Sequence, residues 1–164
     1  MSTGLIFDSF DPVHIGHVSM AMWAINNGIC DSVFFVPLNH GEANFYDRMD
    51  MLDQICEWKP DKINAPIKRL SLLPWQTKTF TSILQEIEAR RSEGEEFIIL
   101  IPKDVYAKVE MFEPLKKYRI VVVDNPIKIH SKDIRTMVKE GKNPIPYIYP
   151  STQETIKEQK LYRK

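Results

Sequence analysis

At 164 residues the chain suits one domain with an adequate core. Its 22 Lys and Arg balance 22 Asp and Glu, so no global electrostatic pull draws it to nucleic acid or to an anionic membrane. No apolar run approaches the ~20 residues that span a bilayer, and no basic segment leads into a long apolar stretch at the N-terminus. A cytoplasmic location is expected. Cys30 and Cys56 lack metal-type spacing and read as two small apolar residues of a reduced chain, with a disulfide between them as the minor alternative. The eleven prolines form no cluster and read as many short connections.

The apolar run Gly4-Leu5-Ile6-Phe7 predicts a buried first strand, and Val18 to Asn26 the helix after it. Ser32 to Pro37 reads as a second buried strand, stopped by its proline. Phe45 to Trp58 is helical, with Met49, Leu52, Ile55 and Cys56 on one stripe. Ala65 to Leu72 reads as a strand or an extended segment. Thr79 to Arg91 predicts a helix with Phe80, Ile83, Leu84 and Ile87 at helical spacing, ended by Gly94. Phe97 to Ile101 and Arg119 to Val123 read as the fourth and fifth strands. A helix from Lys132 to Lys139, capped by Ser131, stops at Gly141. A last helix from Ser151 to Gln159 opens on Ser-Thr-Gln-Glu, which reads as a capping arrangement. Strands alternating with helices predict an α/β fold: an open, mainly parallel sheet with helices on both faces, as a single domain over residues 1–164. Trp23, Met20 and Met22 read as core, and Trp58 and Trp75 as packing residues or, less favoured, base-stacking ones.

The segment between the first strand and its helix carries the chemistry. Ser9-Phe10-Asp11-Pro12-Val13-His14-Ile15-Gly16-His17 places two imidazoles where a strand ends and a helix begins. In an open α/β sheet ligands bind in that crevice. A helix N-terminus there offers free N–H groups to phosphate. Imidazole N–H groups can meet the charge that builds on phosphate oxygens during phosphoryl or nucleotidyl transfer. One histidine near a helix start is more often a cap. The pair, with Gly16 allowing close approach and Pro12 fixing the turn, points to function. A second candidate anion site is the start of the helix after Ser131, where Arg135 lies one turn on.

The segment Ser9 to His17 resembles the HxGH nucleotidylyltransferase superfamily, whose members read Gly-(Ser/Thr)-Phe-Asp-Pro-x-His-x-Gly-His. Asp8 stands where the family has glycine. Ile129-His130-Ser131-Lys132-Asp133-Ile134-Arg135 resembles the Ile-Ser-Ser-Thr-x-Ile-Arg signature of nicotinate-mononucleotide adenylyltransferases. Asp47 to Leu52 is similar to the His-Arg-x-x-Met-Leu helix start, matching at Arg48 and Met51. Thr77 to Ser82 is similar to the Ser-Tyr-Thr-x-x-Thr segment, matching at Thr79. Asp104 matches the aspartate of a Gly-x-Asp turn. The resemblance runs through nearly the whole chain. The Pro-Pro-His-Lys that usually follows the second strand is replaced by Leu38-Asn39-His40-Gly41-Glu42, so a phosphate-contacting lysine is missing. Lys78 or Lys103 is the candidate substitute, and Met111 or Phe112 stands near the position of the family's ring-enclosing tryptophan.

This resemblance implies a Rossmann-like fold and transfer of AMP from ATP to nicotinate or nicotinamide mononucleotide in NAD biosynthesis, with release of pyrophosphate. It implies His14 and His17 as catalytic residues, and Ser9, Phe10, His14, His17, Ser131 and Arg135 on ATP. Arg48, Thr79 and Asp104 are implied on the acceptor. Mg2+ is expected through the phosphates, with no metal ligand from the protein. ATP and a mononucleotide are the expected partners, without nucleic acid or membrane, and a homo-oligomer is left open. Two alternatives remain: another transferase of the superfamily, using ATP or CTP with a pantetheine or sugar-alcohol phosphate, and a non-catalytic nucleotide-binding module.

Overall fold

The computed structural model describes residues 1–56, 67–70, 79–109, 113–125 and 127–163. Among these residues five parallel strands form one sheet, in the order β3-β2-β1-β4-β5. They are β1 (Ser2–Asp8), β2 (Ser32–Pro37), β3 (Ile67–Arg69), β4 (Glu96–Pro102) and β5 (Arg119–Val123). The helices are α1 (Ile15–Asn26), α2 (Phe45–Cys56), α3 (Phe80–Ala89), α4 (Lys103–Val109), α5 (Ser131–Lys139) and α6 (Pro150–Glu158), and a short 3-10 turn covers Glu113–Leu115. This is the α/β arrangement the alternating pattern predicts, and it is Rossmann-like, with β1 at the centre of the sheet.

The pleat explains the two layers. Along β4, Ile98 and Leu100 enter one apolar cluster, with Met20, Ala21 and Ala24 of α1, Met51 and Leu52 of α2, Ile134 of α5 and Ile156 of α6. Phe97, Ile99 and Ile101 enter the other, with Ile83, Leu84 and Ile87 of α3. A strand buried on both faces must be apolar throughout, which is why β4 shows no alternation. Each fully buried Ile or Leu there contributes about 2 kcal/mol.

Register opens the crevice. β1 pairs with β2 from Thr3↔Ser32 to Asp8↔Pro37. Its ladder with β4 ends at Leu5↔Ile99, while β4 stays with β5 as far as Pro102↔Val123. Beyond Leu5 and Ile99 the central strands are not laddered, and the chain leaves them in opposite directions along the sheet. That point is the topological switch of such a fold.

Several boundaries differ from expectation. α1 begins at Ile15, three residues early, because His14 is itself the cap: its Nδ1 accepts the Gly16 N–H at 3.0 Å. α5 is capped by His130 rather than Ser131, and Asp133 accepts the His130 N–H at 3.1 Å. α6 starts at Pro150 with Tyr149 as its cap, so the Ser-Thr-Gln-Glu capping arrangement does not form; proline at the first turn supplies the start signal. α3 ends at Ala89, before Arg90 and Arg91. α4 was not signalled by any apolar periodicity. Neither Cys30 nor Cys56 is disulfide-bonded. Residues 57–58, 65–66 and 71–72 of the expected elements lie outside the described residues, as do Trp58, Trp75, Lys78, Met111 and Phe112.

Candidate active site

A cleft of about 450 Å³ opens at the C-terminal ends of β1, β4 and β5. Asp8, His14, Gly16 and His17 form one wall, Pro102, Lys103 and Asp104 a second, and Asp124, Asn125 and Ile127 to Ser131 contribute a third. Three elements of the sequence thus meet where the strand register parts.

The histidines are held by backbone on one side of each ring. His14 Nδ1 accepts from Gly16 N–H, so its proton sits on Nε2. His17 Nδ1 accepts the His14 N–H at 3.1 Å, which fixes the same tautomer. The rings stack with centroids 3.8 Å apart. Burial first, and the neighbouring His17 next, push the His14 imidazole down to about 2, so it is a neutral donor. Gly16 is required by this packing: a Cβ there would lie 2.8 Å from the His14 ring.

Asp8 faces the second ring, and His17 Nε2 donates to Asp8 Oδ2 at 2.9 Å. Asp8 Oδ1 accepts from Ser9 N–H at 2.6 Å and from Phe10 N–H at 3.4 Å. Burial alone would raise this carboxyl. The His17 hydrogen bond, with the two amides, outweighs it and holds Asp8 at about 2. The side chain of Asp8 is still 46% open.

The remaining expected residues divide. Ser131 lines the cleft and donates its hydroxyl to Pro12 O at 2.8 Å, tying α5 to the first motif. Asp104 lines it too, 3.4 Å from His130. Lys103 stands on the same wall, where a missing phosphate lysine could be replaced. Phe10 is fully buried between His17 and Phe35, at centroid distances of 4.7 and 5.1 Å, so its ring supports the site from behind. Ser9 offers its carbonyl to Arg48. Arg48 is itself fully buried, donating to the carbonyls of Ala43, Ser9 and Leu38. Thr79 caps α3, accepting the Ser82 N–H at 3.1 Å. Arg135 does not line the cleft; it donates to Asp11 O at 2.8 Å and lies 3.5 Å from Glu42.

Sequence reasoning missed Asn125. Its amide donates to Gly16 O at 2.7 Å, while its Oδ1 accepts from Ser19 and from Ile127 N–H, both at 3.2 Å. One side chain therefore ties the loop after β5 to the start of α1. No local pattern marks it, because its partners are far away in sequence. His130 and Lys128, also on the wall, were legible only as neighbours of the Ser131 motif.

Among the described residues no group of three or more His, Cys, Asp or Glu side chains could hold a metal. The open carboxylate of Asp124 suits a cation that arrives on a ligand and keeps its water. Among the same residues no helix is long and apolar enough to cross a membrane.

Comparison with known proteins agrees with this architecture. The cytidylyltransferase-like family model matches residues 5–158. The chain is 29% identical to a protein of Coprothermobacter proteolyticus named a probable nicotinate-nucleotide adenylyltransferase, over 98% of this chain and 94% of that one. It is 25% identical to a protein of the same name from Caldicellulosiruptor bescii, over the full length of both. A Plasmodium falciparum nicotinic acid mononucleotide adenylyltransferase solved with NaAD has the same fold, with TM-score 0.75 and 15% identity over 98% of this chain and 97% of that one.

Proposed function

Because this chain belongs to the cytidylyltransferase-like family, we propose that it is a nucleotidyltransferase moving AMP from ATP to nicotinate or nicotinamide mononucleotide in NAD biosynthesis. The observation that carries this reading is the stacked His14–His17 pair with both protons on Nε2, at the mouth of a cleft at the sheet's switch point. The acceptor is inferred from the names its relatives bear.

An oxygen of the acceptor phosphate attacks the α-phosphorus of ATP, the bond to the β-phosphate breaks, and pyrophosphate leaves. The acceptor phosphate is already ionised at neutral pH, so no general base is required. Catalysis is positioning and charge stabilisation. His14 donates Nε2–H to the α-phosphate as its charge grows, and its neutrality keeps that proton in place at neutral pH. His17 is the second donor once its Nε2–H is available. The N-terminus of α5, with Ser131, faces the β- and γ-phosphates, and Lys103 adds a cation on the opposite wall. Arg135 acts by holding α5 against Asp11. Mg2+, carried on the phosphates, would neutralise charge on the leaving pyrophosphate. Asp124, on the cleft wall, would accept a hydrogen bond from its water. Arg48 and Thr79 belong to the acceptor side through the loop and helix they anchor.

The test pairs ATP and CTP with nicotinate mononucleotide, nicotinamide mononucleotide, pantetheine phosphate and a sugar-alcohol phosphate, following pyrophosphate release and the mass of the product. A dinucleotide formed from ATP and a pyridine mononucleotide is expected. Preference for CTP or for another acceptor would overturn the substrate assignment, and no release with any pair would overturn the enzyme reading.

A further inference from the structure

Asp8 sits within three converging donors: the N–H groups of Ser9 and Phe10 and the Nε2–H of His17. Two successive backbone amides and an imidazole at the end of a first strand form the kind of donor set that a phosphate oxygen takes at such a crevice. A carboxylate oxygen has the same sign of charge and the same acceptor-only chemistry. Asp8 belongs to the cleft wall and is 46% open, so the contact is made where ligand would lie. The proton on His17 Nε2 has no second direction, because Nδ1 is committed to the His14 N–H. While Asp8 holds that proton, His17 cannot donate it to a substrate.

We propose that Asp8 is an internal stand-in for phosphate, filling the His17 seat of the cleft, so that an anion enters the seat only by displacing it. The inference rests on the phosphate-binding reading of this cleft and makes Asp8 a specificity-determining residue within it. A nucleoside triphosphate brings contacts from its base and sugar as well as its phosphates, and these offset the lost Asp8–His17 bond. Bare pyrophosphate has only phosphate to offer and is refused. The Asp8–His17 bond re-forms when the α-phosphate leaves the seat with the dinucleotide product. The seat is self-supporting without ligand, as the held carboxylate of Asp8 indicates.

The test is calorimetric binding of pyrophosphate, without nucleotide or metal, to the parent protein and to Asp8→Asn, Asp8→Gly and Asp104→Asn. Asp8→Asn keeps an oxygen for the Ser9 and Phe10 amides but turns an N–H toward His17, so two donors face each other. Asp8→Gly removes the group altogether and covers the case in which the amide variant fails to fold. Asp104→Asn removes an equal charge from the cleft wall without touching His17. Both Asp8 variants are expected to bind pyrophosphate about tenfold tighter, equivalent to about 1.4 kcal/mol. Asp104→Asn should change binding less than about threefold, because exposed charges are screened. The ring-nitrogen resonances of His17 should respond to pyrophosphate in Asp8→Asn over the range where heat is released. The proposal is overturned if the Asp8 variants bind no tighter than the parent, if Asp104→Asn gains as much, or if the His17 ring ignores bound pyrophosphate. In those cases the phosphate-binding cleft still stands. If no protein in the set binds pyrophosphate, the proposal and the phosphate reading fall together.

Discussion

The hydroxyl of Tyr162 donates to Asp11 Oδ1 at 2.6 Å, joining residues 151 positions apart. Asp11 also accepts the N–H groups of Glu42 and Ala43, at 2.6 and 3.1 Å. Its backbone carbonyl receives Arg135. The turn carrying His14 is thereby fastened to the loop after β2, to α5 and to the segment after α6. None of these contacts touches the cleft, yet they set where its histidines stand.

Tyr162→Phe removes one of three donors from a buried carboxylate while leaving the ring in place. We expect a loss of about 1–2 kcal/mol, the usual range for a buried hydrogen bond to a charged group. It would be read as a lower urea midpoint with an unchanged m-value. A midpoint equal to the parent's would show that water replaces the hydroxyl freely.

Arg135→Ala should act on folding before it acts on ATP. Its guanidinium is three-quarters covered and lies 3.7 Å from Asp11 Oδ2 and 3.5 Å from Glu42. A stability loss of about 1–3 kcal/mol is expected, because Asp11 is left with its charge less well compensated. An unchanged melting temperature with a collapsed ATP affinity would instead make Arg135 a direct triphosphate ligand.

His14→Asn should keep the helix cap, since Asn is a favoured cap residue, while its shorter side chain cannot reach a phosphate. Turnover should fall about 100-fold or more, as when one donor to a developing oxyanion is removed. Near-normal turnover in a folded variant would remove His14 from the mechanism.

Stability should fall as acid is added, starting near neutrality. His14 is held down at about 2 in the folded chain and returns to 6.5 when unfolded. Between those values the unfolded chain binds a proton that the folded chain refuses, so unfolding becomes more favourable as pH falls from about 6.5. The slope from this one group approaches about 1.4 kcal/mol per pH unit. Asp8 adds to it only below its ordinary 3.8, since it too is held at about 2. Denaturation midpoints at pH 7 and pH 5 should differ in the parent and converge in His14→Asn. Equal pH dependence in the two proteins would mean that His14 protonates freely in place.

The strands were legible because burial on both faces writes a continuous apolar run, as in Phe97 to Ile101. The helix ends were not, because His14, His130 and Tyr149 are unusual caps, and the favoured cap residues Ser131 and Ser151 stand one and two positions after the true caps of their helices. The histidines were legible as a local motif. Arg48 and Arg135 were placed on substrate by resemblance, but their charges satisfy carbonyls and carboxylates brought in from distant segments, which no local pattern records. Asp8 was visible as a departure from the motif, whereas its grip on His17 depends on the ring orientation set by a backbone N–H.

Position 16 and position 14 are a single unit of shape. The His14 ring occupies the space a Cβ at Gly16 would need, so position 16 is held to glycine for as long as the imidazole is there. Gly16→Ala alone should drive the ring from its stack and cost more than the methyl itself. In a His14→Asn background the same alanine should be tolerated, and the paired change should damage folding less than the sum of its parts. The constraint between the two sites is therefore one of permission: the glycine is demanded by the imidazole, and losing the imidazole releases it.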